Sequence, residues 1–117
     1  MSKNLYRETV FAITDSNHTI DDISWIGTYA FCIDTDQFFK IAENTNYDSG
    51  FGSAEIPVDL MIVFTDGSSL RREEYDGSEW WRFYPDLKKP TEKYYLAVDS
   101  FTDYKYKYKD YLFDYVR

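Results

Sequence analysis

The side chains of this sequence that could take part in catalysis are few. His18 lies in a polar stretch and could serve as a general base, although a lone histidine of this kind is usually an ordinary surface residue. Cys32 falls in a predicted strand, where a buried, unreactive thiol is more common than a nucleophile. Carboxylate pairs are numerous, but such pairs are typical of solvated faces, and no second element fixes an acid–base geometry. The sequence therefore predicts a protein that is not an enzyme.

Residues for metal or cofactor binding are equally sparse. One histidine and one cysteine cannot form a zinc site alone. Four oxygen-bearing residues fall at positions 1, 3, 5 and 12 of a calcium-loop frame, namely Asn44, Asn46, Asp48 and Glu55. The glycine that this frame needs at position 6 is replaced by Ser49, and a strand rather than a helix is predicted to follow. We therefore expect no metal and no cofactor.

Acidic side chains outnumber lysine and arginine by 21 to 13, which gives a formal net charge of −8. Residues 1–59 hold ten of the acidic residues and only three of the basic ones. A field of this sign repels nucleic acid and attracts basic protein surfaces, although the same charges could merely keep the protein soluble. The carboxylates that could contact a partner are Asp15, Asp21, Asp22, Asp34, Asp36, Glu43 and Asp48.

A tryptophan pair, Trp80-Trp81, is the second candidate for partner binding. Adjacent strand residues face opposite sides of a sheet, so one ring should pack inward, and the other is either covered by a further helix or exposed. An exposed tryptophan beside Arg71, Arg72 and Arg82 has the composition of a binding hot spot. The alternative is that tyrosine and tryptophan rings stack on a small molecule or nucleotide while an arginine binds its phosphate.

The element that positions these residues is a predicted antiparallel unit of three strands at 58–84. Asp66-Gly67 and Asp76-Gly77 are turn formers, because tight hairpin turns need the positive φ that Gly, Asn and Asp adopt most readily. The first strand, 58–65, is apolar and β-branched, as expected for the centre of a sheet. The second, 69–75, is polar, and the third carries the tryptophan pair and ends at Pro85.

The remaining elements are predicted from periodicity and capping residues. We expect helices at 3–13, with Ser2 as a possible cap, and at 35–44, with Asp34 as the N-cap. Residues 14–22 are expected to form a loop, and one bent strand or two short strands, 23–26 and 28–33, should surround Gly27. A further strand is expected at 94–98 and a helix at 100–117, where helical spacing explains more positions than strand alternation does.

Together these elements predict an α+β fold in one domain, 1–117, with an antiparallel sheet and two to three short helices. The single cysteine suits a reducing compartment. The N-terminal residues have no continuous apolar core and no apolar run is long enough to span a membrane, so we expect a cytoplasmic protein.

Three segments also carry a resemblance to known sequences: YDSGFGSAEI at 47–56, DLMIV at 59–63 and EYDGSEWW at 74–81. They look like a family of small, uncharacterised phage and prophage proteins with a Y-D-G-S-E-W-W hairpin, and the similarity covers roughly residues 20–84. Family members often carry another tryptophan pair where this chain has Thr65-Asp66-Gly67-Ser68. The resemblance implies an accessory protein in the cytoplasm of a bacterial host, and inhibition of a host antiviral defence protein, as by an anti-CRISPR protein, is the expected role.

Overall fold

The computed structural model describes residues 2–50 and 52–87 of the chain. In chain order, its elements are β1 (Ser2–Asn4), α1 (Leu5–Asp15), a 3₁₀ helix (Ile20–Asp22), β2 (Ile23–Gly27), β3 (Cys32–Ile33), α2 (Thr35–Glu43), β4 (Asn46–Asp48), β5 (Met61–Phe64), β6 (Ser69–Tyr75) and β7 (Ser78–Tyr84). Neither helix within these ranges is long and apolar enough to cross a membrane. Residues 1–86 form one compact unit. A single domain over 1–117 stays a prediction, and the predicted elements at 94–98 and 100–117 lie outside the described residues.

The strands form a five-stranded antiparallel sheet in the order β3-β2-β5-β6-β7 and a separate pair, β1-β4. This confirms the predicted α+β class, with two helices in the part of the chain that the structure describes. One row of paired residues crosses all five strands and contains Ile26, Ile62, Leu70, Phe83 and Ile33. The first three of these are in the core cluster with residues of both helices, so α1 and α2 cover the same face of the sheet. We call this the inner face and the opposite one the outer face.

The β6–β7 hairpin matches the prediction. Tyr75 pairs with Ser78, and both residues between them have positive φ, 52° at Asp76 and 87° at Gly77. Two consecutive positive φ values are those of a type I′ turn, whose twist fits that of the flanking strands.

The β5–β6 connection is longer than the two-residue turn that its Asp-Gly pair suggests. The Gly67 backbone N–H donates to the Phe64 carbonyl at 3.0 Å and the Phe64 N–H donates to the Ser68 carbonyl at 2.9 Å. Gly67 alone has positive φ there, 91°, as in a hairpin that adds a glycine after an ordinary turn. The preceding strand also begins at Met61 rather than at 58, since a turn in which the Leu60 N–H donates to the Pro57 carbonyl comes first.

The first helix begins two residues later than predicted, and Ser2 is not its cap. The Asn4 side chain accepts a hydrogen bond from the Arg7 N–H at 3.1 Å and is the N-cap. Ser2 lies in β1 and pairs with Asp48, a partner so distant in sequence that local patterns do not reveal it. For the second helix the predicted cap is confirmed, because Asp34 accepts from the Gln37 N–H at 3.2 Å.

The region 23–33 forms two strands, but β3 is shorter than predicted. The Thr28 N–H donates to the Phe31 carbonyl at 2.8 Å, so residues 28–31 turn the chain instead of extending it. A Cβ at Gly27 would overlap that carbonyl oxygen, which explains why glycine occupies this position. Cys32 follows the turn and is exposed, so the expectation of a buried thiol is wrong.

Candidate functional site

The tryptophan pair divides between the two faces of the sheet, as predicted. The Trp81 ring is buried on the inner face, and its Nε1–H donates to the Thr9 hydroxyl of α1 at 2.9 Å. Trp80 lies on the outer face, opposite Glu73 in register, and is 37% exposed. Trp81 therefore anchors the sheet to α1, and only Trp80 is available to a partner.

Arg72 is not available to a partner, contrary to the prediction. Its side chain is 1% exposed on the inner face and lies among Glu8, Tyr47 and Glu79. Its Nη1 is 3.2 Å from a Glu8 oxygen, and its Nη2 donates to the Tyr47 hydroxyl at 3.0 Å and to Glu79 at 3.4 Å. The guanidinium also lies 4.9 Å from the centre of the Trp81 ring. We call Glu8, Tyr47, Arg72 and Glu79 the buried ion cluster.

The buried ion cluster joins elements that are far apart in sequence. The Glu79 carboxylate also accepts from two backbone N–H groups of the loop before β5, Glu55 at 2.7 Å and Ile56 at 3.2 Å. Tyr47 donates to Glu8 at 2.5 Å. Burial, and then this hydrogen bond, raises the pKa of Tyr47 to about 12. The arrangement pairs the buried arginine with two carboxylates and ties together α1, β4, β6, β7 and the loop before β5.

The predicted partner-binding carboxylates are not brought together on one surface. Asp21 and Asp22 lie in the 3₁₀ helix, next to the β5–β6 turn, because the Thr65 N–H donates to the Asp22 carbonyl at 2.8 Å. Asp34 and Asp36 lie at the start of α2. Asp48 lies in β4, two residues before Gly50, whose N–H donates to the Gly77 carbonyl at the β6–β7 turn. The set is therefore split between different ends of the sheet.

Three of the predicted carboxylates lie in segments that contact the β5–β6 turn, where two further aspartates join them, and we call these five residues the acidic end. Asp66 is part of the turn, and a Cβ on Gly67 would lie 2.6 Å from the Asp86 carboxylate, so that carboxylate packs against the turn as well. Asp15 ends α1, three residues before His18, which contacts Asp66. The members of the acidic end are Asp15, Asp21, Asp22, Asp66 and Asp86. Asp66 and Asp86 were missed by the sequence reasoning, although Asp66 belongs to the turn that it identified.

His18, Asp66 and Ser68 bring an imidazole, a carboxylate and a hydroxyl into contact at the acidic end. His18 Nε2 is 2.8 Å from Asp66 Oδ2 and 3.3 Å from Ser68 Oγ, while His18 Nδ1 is 2.8 Å from the Ser16 carbonyl oxygen. In a nucleophilic triad the hydroxyl and the carboxylate use different ring nitrogens. Here both use Nε2, and the buried Ser68 hydroxyl donates to Asp66 at 2.5 Å. The contact cannot activate Ser68, and it fixes the loop around His18 to the turn.

These contacts keep Asp66 charged. The hydrogen bond from the Ser68 hydroxyl, followed by the one from His18, holds the pKa of the Asp66 carboxyl well below its usual range. His18 is itself held by a ring stack on Phe64, with centroids 4.0 Å apart. Asp66 is therefore an anionic group whose position is fixed by its neighbours.

The outer face carries the remaining candidate arginines, Arg71 and Arg82. Both guanidinium groups lie near the Tyr84 ring, at 4.6 and 5.6 Å from its centre. The Tyr84 hydroxyl donates to Glu73, which raises the pKa of Tyr84 and lowers the pKa of Glu73. A groove of about 150 Å³ lies beside Arg71.

No protein-family model, curated protein or solved structure matches the chain. In the ranges that the structure describes, no group of three or more His, Cys, Asp and Glu side chains is arranged to hold a metal ion. Asn46 and Asp48 of the calcium-loop frame lie in β4, where the Asp48 N–H donates to Glu55 at 3.0 Å, so that frame does not form a loop.

Proposed function

We propose that this protein is a non-enzymatic inhibitor that binds a basic, nucleic-acid-binding surface of a host antiviral defence protein in the bacterial cytoplasm. The observation that carries the proposal is the acidic end, where five aspartates lie in one turn and in the segments that contact it. Carboxylates on a rigid support can occupy the positions of phosphates and thereby exclude the nucleic acid from a groove lined by lysine and arginine.

The charge distribution along the chain supports this proposal. Lys40 is the only lysine or arginine between Arg7 and Arg71, and it lies on α2. Four of the five members of the acidic end, Asp15, Asp21, Asp22 and Asp66, therefore lie in a stretch of sequence with a single lysine and no arginine. A basic partner groove would meet a negative field there. Such a field accelerates association with a basic partner and disfavours anionic partners.

The rival role, binding of a small molecule or nucleotide, has weaker support. The groove beside Arg71 measures about 150 Å³, whereas pockets for small molecules occupy about 300–1,000 Å³. A second groove, of about 390 Å³, has that size, but its lining contains neither a tryptophan nor any of the arginines proposed for phosphate binding. Arg72, one of the arginines proposed for phosphate binding, is engaged in the buried ion cluster. Protein binding is therefore the better conclusion from the geometry.

Affinity capture from lysates of bacteria that carry defence nucleases is the first experiment. The captured protein is purified, and its binding to nucleic acid is measured in a mobility-shift assay with and without this chain. We expect displacement of the nucleic acid, and an affinity that falls as salt rises, because exposed charges are screened within about 10 Å at 0.1 M. A captured protein that binds this chain and its nucleic acid simultaneously contradicts the proposed inhibition.

Charge reversal at the acidic end then tests the surface. Asp15→Lys/Asp21→Lys changes two exposed carboxylates whose side chains make no described hydrogen bond or ion pair, so the fold should be retained. We expect at least about a tenfold loss of target affinity, or about 1.4 kcal/mol. The matched control is Asp36→Lys/Glu43→Lys on α2, which changes the net charge equally. Equal losses in the two variants would assign the effect to net charge and not to the acidic end.

A further inference from the structure

The outer face carries a positive charge that the described residues do not neutralise. Arg71 and Arg82 are directly opposite each other in the β6–β7 register, an arrangement that is unfavourable for like charges. Glu73 lies 3.4 Å from Arg82. In the ranges that the structure describes, no carboxylate lies within ion-pair distance of the Arg71 guanidinium. Among the described residues, the face therefore has one guanidinium without a carboxylate partner, on a chain of net charge −8.

Arg71 is held in a defined position. Its Nε donates to the Ser69 hydroxyl at 3.1 Å, and its guanidinium lies 4.6 Å from the centre of the Tyr84 ring. The two terminal nitrogens have no described hydrogen-bond partner. A guanidinium fixed in this way is prepared to bind a carboxylate through two parallel hydrogen bonds, because little side-chain entropy remains to be lost.

The groove beside Arg71 has the size of one side chain and mainly apolar walls. Its volume is about 150 Å³, and its lining includes Tyr29, Val58, Asp59, Met61, Arg71 and Tyr84. Tyr29 is 85% exposed and Val58 is 60% exposed, so large apolar surfaces stand beside the charge. Aromatic and arginine side chains around a small pocket are the composition of an interface hot spot.

We propose that the outer face docks an extended segment of a partner protein that inserts an aspartate or glutamate side chain against Arg71 and covers Tyr29 and Val58 with apolar neighbours. This surface is separate from the acidic end and requires an acidic, not a basic, partner segment. Glu73 and Asp59 lie near the same site, so a chain of phosphates would meet repulsion that a single carboxylate avoids. Charge complementarity therefore favours a peptide over a nucleic acid.

Titration of the full chain by two-dimensional NMR tests this proposal. The probe is the acetylated, amidated pentapeptide Gly-Leu-Glu-Leu-Gly, and the matched control peptide has glutamine in place of glutamate. We expect the glutamate peptide to shift the amide signals of Met61, Arg71 and Tyr84, and to bind at least tenfold more tightly than the control. Equal binding of the two peptides, or shifts confined to other residues, would overturn the proposal.

Two variants and a competing ligand sharpen the test. Arg71→Gln should reduce peptide affinity at least tenfold. Arg71→Lys should reduce it by less, since an ammonium keeps the positive charge but lacks the planar guanidinium that donates two parallel hydrogen bonds. Asp15→Lys/Asp21→Lys, which tests the proposed function, should leave peptide binding unchanged.

A single-stranded oligothymidylate that shifts the same signals and binds more tightly than the peptide would assign the face to nucleic acid and overturn the proposal. Concentration-dependent shifts of these signals without any peptide would indicate a second copy of the chain instead.

Discussion

The buried ion cluster and the acidic end use similar side chains in opposite surroundings. In the buried ion cluster, Arg72 and Glu79 are each 1% exposed, and the charge of the arginine is compensated by two carboxylates. At the acidic end, Asp66 is 58% exposed and its main contacts are a histidine and a serine. Charges withdrawn from water must compensate one another, so the first group supports the fold. Charges left in water need no such compensation, so the second group is free to meet a partner.

Removing the arginine of the buried ion cluster should have the largest effect. Arg72→Met leaves Glu8 and Glu79 without their cation in a buried site, and we expect the free energy of unfolding to fall by about 3–5 kcal/mol. Chemical denaturation measures this change. The control is Arg71→Met, one residue away on the outer face, which should change the free energy of unfolding by no more than about 0.5 kcal/mol. Similar losses in both variants would show that burial does not distinguish the two arginines.

The tryptophan pair offers a matched comparison of smaller size. Trp81→Phe removes the hydrogen bond to the buried Thr9 hydroxyl and part of the ring, and should cost about 1–3 kcal/mol of unfolding free energy. Trp80→Phe, on the exposed face, should cost less than about 0.5 kcal/mol. Thermal and chemical denaturation of both variants test this. A larger loss from Trp80→Phe would mean that the outer face is covered within the protein.

Alkaline pH should weaken the buried ion cluster through Tyr47. Its pKa is about 12 in the folded protein, above the usual value of about 10, so the unfolded chain loses this proton first. The contribution to stability is therefore complete below pH 10 and is lost as pH rises to about 12. Urea midpoints between pH 9 and 12 should fall less steeply for Tyr47→Phe than for the unaltered chain. Parallel slopes in the two proteins would remove Tyr47 as the cause.

Acidic pH should affect the other region, and the effect should be the smallest of the four. The pKa of Asp66 is lower in the folded protein than the usual value of about 3.9, so the unfolded chain takes up this proton first as pH falls. The contribution of Asp66 is present above pH 4 and is lost below it. The urea midpoint should change less between pH 6 and pH 3 in Asp66→Asn than in the unaltered chain. The control is Asp36→Asn, whose side chain has no described partner and whose midpoint should change as much as that of the unaltered chain. An unaltered acid dependence in Asp66→Asn would show that the contacts of Asp66 do not stabilise the fold.

The elements with strong local patterns were predictable from the sequence. Asp76-Gly77 placed the β6–β7 hairpin, Asp34 placed the start of α2, and strand alternation divided Trp80 from Trp81. The β1–β4 pair was not predicted, because each strand has three residues and its partner lies more than forty residues away.

The candidate sites were less predictable, since side-chain charge was taken to mean exposure. Alternation does place Arg72 on the same face as Leu70, and Glu79 on the same face as Trp81, so the pattern that divided the tryptophans also identifies two buried charges. The acidic end depends on contacts among segments around residues 15, 22, 66 and 86, and no local pattern reports such contacts.

The Lys3 side chain shields the edge of the sheet. In the strand order that the structure describes, β7 is an edge strand. Both backbone polar groups of Glu79 are hydrogen-bonded from outside the sheet. Lys3 Nζ donates to the Glu79 carbonyl at 3.2 Å, and the Glu79 N–H donates to the Ser49 hydroxyl at 2.9 Å. An uncovered edge strand is a template for pairing with another chain. A lysine placed there opposes such pairing by its charge, so we expect removal of residues 1–3 to leave this edge open to pairing between chains.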